Sequence, residues 1–142
     1  MVDDEPDVRD LCRVNLELAG HEVYEASDGN GAVSEARQHH PDLVFLDLMM
    51  PFVDGFEALR RLKEDDSTAD IPVVVVTARS GDDEQVRAFS GGVVEFIAKP
   101  FHPSVLLDCV NRALEPSAPE AEAARRQLVL DRLAMVRSLR RR

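Results

Sequence analysis

The 142-residue sequence contains no run of eighteen apolar residues, so no segment is suited to cross a bilayer as a helix. It also lacks a basic start followed by an apolar stretch, the pattern of a secretory signal. Cysteine is scarce, with only Cys12 and Cys109. Each falls on an apolar helical stripe, so both read as packing thiols of a protein in a reducing cytoplasm. The four histidines, His21, His39, His40 and His102, have no metal-ligand spacing and read as surface residues. Lysine is nearly missing: of seventeen basic residues only Lys63 and Lys99 are lysine.

Acids are abundant and unevenly placed. Residues 1–116 carry 24 acids against 10 Lys plus Arg, a net of −14. Residues 117–142 carry 3 acids against 7 Arg, a net of +4. A domain so acidic repels nucleic acid, and only the tail offers positive charge.

Short apolar runs alternate with helical patterns. Val2 precedes an acidic pair. Residues 7–19 place Val8, Leu11, Cys12, Leu16 and Ala19 on one stripe, with Pro6 at the start and Gly20 at the stop. HEVYEA (21–26) reads as a strand and 29–39 as a helix. LVFLD (43–47) is a buried strand, followed by a helix over 54–64. IPVVVVT (71–77) is the most strand-like stretch, followed by a helix over 81–90. VVEFIAK (93–99) and a helix over 103–114 complete the pattern. Five such βα units predict an α/β fold with a parallel sheet covered on both faces. In open sheets of this kind ligands bind beyond the carboxyl ends of the strands.

Those ends carry chemistry. The first strand delivers Asp3 and Asp4, the third Asp47, the fourth Thr77 and the fifth Lys99. Three carboxylates at one edge repel unless a cation joins them, and Mg²⁺ takes oxygen ligands while keeping room for a phosphate. Lys99, in a chain that otherwise uses arginine, suggests a compact charge that grips a phosphoryl group. Thr77 can donate to a phosphoryl oxygen. The set suits transfer of a phosphoryl group to an aspartate.

MVDDEP, LVFLDLMMPFVDG, VVVVTA and FIAKPF, in this order, resemble the receiver domain of bacterial two-component response regulators. The resemblance covers about residues 1–115. It implies a flavodoxin-like (βα)5 sheet in the order 2-1-3-4-5, with Asp47 as phospho-acceptor. It further implies Asp3, Asp4, Asp47 and the Met49 backbone carbonyl as Mg²⁺ ligands, and Lys99 on the phosphoryl group before a cis Pro100. Thr77 and Phe96 would be the switch pair, and a histidine kinase or phosphotransfer protein the phosphoryl donor. Two features depart from the family pattern. Only Met1-Val2 precede the acidic pair, so the first strand is short. Val93 and Val94 stand where a small residue and an acid are usual.

Two rival readings are an aspartate-nucleophile phosphatase and a phosphorylation-independent interaction module. The first would place an acid two residues after the nucleophile, where Met49 stands. The second typically loses an acid, the Thr or the Lys, and none is lost here. The chain also reads as a piece of a larger regulator whose output domain lies elsewhere. Residues 116–119 are predicted as a linker, and 120–142 as a basic amphipathic helical extension. Val129, Leu133 and Val136 define its apolar face. The favoured role is pairing with its copy in another chain or the start of a coiled coil into an output domain; the alternatives are loose packing on its own domain and binding to nucleic acid or membrane.

Overall fold

The computed structural model of the chain describes residues 1–50, 52, 54–114, 126–127 and 130–133. Three strands, β1 (Val44–Leu46), β2 (Val73–Thr77) and β3 (Glu95–Ala98), form a parallel sheet in that order. Five helices surround it: α1 (Pro6–Leu18), α2 (Gly29–His39), α3 (Gly55–Glu64), α4 (Asp82–Ser90) and α5 (Pro103–Leu114). All five helices predicted within residues 1–114 are present. Local chemistry explains their starts. The Asp28 carboxylate accepts from Gly31 N at 2.8 Å, and Asp54 accepts from Glu57 N at 2.9 Å, each capping a first turn. Pro6 opens α1, where a missing N–H costs nothing. None of these helices is long and apolar enough to cross a membrane.

The sheet divides the core in two. β2 is buried along its whole length, and its side chains alternate between the faces. Val73 and Val75 join Leu46, Leu59, Leu62 and Phe89 under α2, α3 and α4. Val74 and Val76 join Cys12, Leu16, Leu106 and Cys109 under α1 and α5. Both cysteines are buried free thiols, as their helical stripes predict. Burial pushes Cys12 up to about 11; burial and a hydrogen bond to Glu95 push Cys109 up to about 12.

The first two predicted strands are reduced to single bridges. Val2 pairs in parallel with Ala26 on one side and Leu46 on the other. The lateral order is therefore the 26 segment, the Val2 segment, then β1, β2 and β3, which preserves 2-1-3-4-5. HEVYEA pairs at Ala26, beside Met1 to Asp3. Asp3 N donates to Ala26 O at 3.1 Å and Ala26 N to Met1 O at 3.1 Å. The Met1 amine then takes the place of a strand N–H and donates to Tyr24 O at 2.9 Å. Its burial lowers its pKa from 8.0 to about 6. Beyond it, Val23, Tyr24, Leu43 and Val44 line a cavity of about 270 Å³.

Adding four apolar residues ahead of Met1 is therefore expected to continue the ladder into this cavity. The melting temperature should rise by about 5 °C, the equivalent of one or two kcal/mol in a domain of this size. A Gly-Ser extension of equal length should give much less. Equal melting curves for the two extensions would show that the cavity does not accept a strand.

The predicted linker (116–119) and most of the 120–142 extension lie outside the described residues. Residues 126–127 and 130–133 are helical. Leu133 packs against the α2–α4 side of the core.

Candidate functional site

The site is assembled from backbone outward. Val2 N donates to Phe45 O at 2.8 Å and Asp47 N to Val2 O at 3.0 Å, so the first segment is laced to the end of β1. This lacing sets Asp3 and Asp47 side by side at the carboxyl edge, both buried. Lys99 follows β3, and its N–H donates to Thr77 O at 2.9 Å at the end of β2. The Lys99–Pro100 peptide is cis.

The side chains converge as the sequence predicts. One oxygen each from Asp3, Asp4 and Asp47 lie within 4.8 Å of one another. Lys99 Nζ donates to Asp3 Oδ2 at 2.6 Å and to Asp47 Oδ2 at 3.0 Å. The second oxygens are held by backbone: Glu5 N donates to Asp3 Oδ1 at 2.9 Å and Met49 N to Asp47 Oδ1 at 3.0 Å. Asp4 is exposed and faces solvent with its carboxylate.

Burial pushes the Asp3 carboxyl upward, with the neighbouring Asp47 adding to this and the Lys99 hydrogen bond opposing it. Burial works against the charge of Lys99, but the two carboxylates outweigh it and hold the ammonium above the ordinary lysine range. Two buried carboxylates and a third at the rim outnumber one ammonium. The donor set is all oxygen and acidic, which suits a hard divalent cation.

Thr77 is fully buried, and its Oγ1 accepts from Arg79 N at 3.2 Å. Phe96 is partly buried and packs at 6.5 Å, ring centre to ring centre, from Phe89. The β2–β3 register pairs Val75 with Phe96. Thr77, two residues on, therefore projects from the same sheet face as Phe96.

Several contributors escape a reading based on strand ends. Glu5 Oε1 lies 3.8 Å from Lys99 Nζ. Arg9 Nη1 donates to Asp3 O at 2.6 Å, tying α1 to the acidic turn. Gly55 sits directly against the backbone of Asp47 and Leu48. The only legible signal for it is a glycine just after a capping aspartate. The histidines stay outside the site. His39 is half-buried rather than on the open surface; it stacks on Tyr24 at 3.8 Å and lies 3.2 Å from Glu35.

The sequence matches the Response regulator receiver domain family over residues 1–111. The chain belongs to this family. The receiver resembles the DNA-binding dual master transcriptional regulator RpaA of Synechocystis, with 38% identity over 131 residues, covering 92% of this chain and 54% of RpaA. It is also 38% identical over 134 residues to the phosphate regulon transcriptional regulatory protein PhoB of Pseudomonas aeruginosa, covering 92% of this chain and 58% of PhoB. The chain thus spans little more than half the length of these two relatives. Protein PilH of the same organism is 36% identical over 114 residues, covering 80% of this chain and 94% of PilH. Among solved structures, chemotaxis protein CheY4 of Vibrio cholerae superposes with a TM-score of 0.75 at 28% identity, covering 80% of this chain and 94% of that one. The receiver is a signalling domain of two-component systems with the flavodoxin-like fold.

Proposed function

We propose that this receiver accepts a phosphoryl group on Asp47 from a partner histidine kinase or phosphotransfer protein and passes the change on through protein contacts. The observation that carries the reading is the convergence of Asp3, Asp4, Asp47 and Lys99 at one strand edge. The Asp47 carboxylate attacks phosphorus; a P–O bond forms as the donor's P–N bond breaks and the imidazole leaves. Lys99 supplies positive charge to the phosphoryl oxygens as charge develops on them. Asp47 is held for in-line attack by the Met49 N–H on its far oxygen. Thr77 turns its hydroxyl toward the phosphoryl group, and Phe96, on the same face, follows.

The residues fit Mg²⁺. The carboxylates of Asp3, Asp4 and Asp47 and the backbone carbonyl of Met49 would hold it, and it would screen the charge between the carboxylates and the incoming phosphate.

The test is intact mass after incubation with acetyl phosphate and Mg²⁺. A single phosphate adduct is expected, absent from Asp47→Asn and absent without the metal. An adduct that survives in Asp47→Asn would move the acceptor elsewhere, and none in folded wild type would end the reading. A second reading, a receiver that serves a DNA-binding output, is favoured by the share of RpaA and PhoB that this chain covers. Homodimer pairing through residues 120–142 has less support, because Arg132 and Leu133 are engaged within the chain.

A further inference from the structure

The receiver mechanism leaves one contact unused. Arg132 and Leu133 lie against α4 of their own chain. Arg132 Nη2 donates to Gln85 Oε1 at 3.0 Å, and its guanidinium carbon sits 5.1 Å from the centre of the Phe89 ring. Leu133 packs on the cluster that contains Phe89 and Val93. Gln127 donates to Asp131 at 2.9 Å one turn apart, which steadies the segment. The charges are also opposite in sign: residues 117–142 carry net +4, and the first turn of α4 carries Asp82, Asp83 and Glu84.

Phe89 is buried and shared. One neighbour is Arg132 of the tail, and another is the Phe96 ring. Phe96 in turn stands on the sheet face of Thr77. A stacked contact on Phe89 holds only while that ring keeps its place, so a shift of Phe96 reaches the tail through one side chain. The anchoring is also light. Leu130 stays 58% exposed, and Arg132 and Leu133 carry the contact. A light contact is reversible within the range of a modest coupling.

We propose that Arg132 and Leu133, on the described helical residues 130–133, form an intramolecular latch on α4 that is closed in the resting receiver and opens when Asp47 is phosphorylated. The inference rests on the reading of Asp47 as acceptor and of Thr77 and Phe96 as the pair that responds. By linkage, a latch that prefers the resting arrangement must also lower the readiness of that arrangement to change. Opening bares Gln85 and Phe89 for a partner of similar chemistry, a helix that presents an arginine beside a leucine.

Hydrogen exchange read by mass spectrometry on the full 142-residue chain tests this. It is run with and without acetyl phosphate and Mg²⁺, with the adduct counted in the same samples. The comparison is Arg132→Ala/Leu133→Asn, changes confined to the tail. In the resting state the double variant is expected to exchange at least about fivefold faster in 85–90 and 126–133. Phosphorylation should bring wild type to the same rate and leave the variant where it is. Equal resting rates in the two proteins would remove the latch. A counted adduct with no change in wild-type exchange would remove its coupling while leaving Asp47 as acceptor. A folded chain that takes no adduct would end the acceptor reading and the opening step together. Protection that grows with protein concentration would assign the contact to a second copy and overturn the intramolecular form.

Discussion

Gly55→Ala is expected to lower the melting temperature by roughly 10 °C and to slow phosphate uptake on Asp47 beyond what unfolding explains. A Cβ at this position would overlap the Asp47 carbonyl oxygen and lie 2.5 Å from Leu48 Cα. Those are backbone atoms, so no side-chain rotation relieves the clash. Gly55 N also donates to Leu48 O at 3.1 Å, which locks the start of α3 onto the exit of β1. The helix must retreat or the strand end must bend. Overpacking of this kind costs about 3 kcal/mol, and more where backbone is struck. In a domain of this size each kcal/mol moves the midpoint by about 2–4 °C. The atom struck belongs to Asp47, the proposed acceptor, so the geometry of its carboxylate shifts with it. The measurement is a thermal melt, followed by adduct formation at a temperature where both proteins are folded. A variant within 2 °C of wild type, with equal uptake, would show that α3 does not seat so closely.

How much of this was legible follows from where each instruction resides. The helices were readable because their signals are local: Pro6 at the start and Gly20 at the stop of α1, and an apolar stripe through Cys12 and Leu16. VVVVT was readable because a strand buried on both faces needs nothing but apolar side chains. The convergence of Asp3, Asp47 and Lys99 followed from parallel topology alone, since each ends a run at the same sheet edge. HEVYEA was not readable as a lone bridge. Its composition is that of a strand, and pairing depends on tertiary neighbours rather than on its own residues.

Gly55 was hidden for a similar reason, because its constraint comes from Leu48, seven residues away and packed across a loop. Lys63, which reads as an ordinary helix residue, is half-buried and donates to Ala69 O at 3.1 Å and Ile71 O at 2.9 Å. It satisfies two carbonyls where the chain enters β2. Burial lowers its pKa.

The other lysine gives the second large effect. Lys99→Met is expected to destabilise the metal-free protein by about 3–5 kcal/mol, the cost of leaving buried charge without its partner. Asp3 and Asp47 are 0% and 2% exposed, and Lys99 Nζ is the cation that lies between them, at 2.6 Å and 3.0 Å. Methionine fills the space but leaves two carboxylates facing each other. Mg²⁺ should then raise the melting temperature of the variant by several degrees more than it raises wild type, because the ion takes over the role of the ammonium. Lys99→Arg separates charge from shape. Arginine keeps the positive charge, so stability and phosphate uptake should largely survive. Its planar fork does not reproduce the compact ammonium that the tight site offers to a phosphoryl group. The response of Phe96 should therefore fail, read by a fluorinated phenylalanine at that position before and after acetyl phosphate. A Met variant that melts like wild type without metal would show that Lys99 does not hold the acidic pair. An Arg variant with a full Phe96 response would show that charge alone, not the compact ammonium, works the switch.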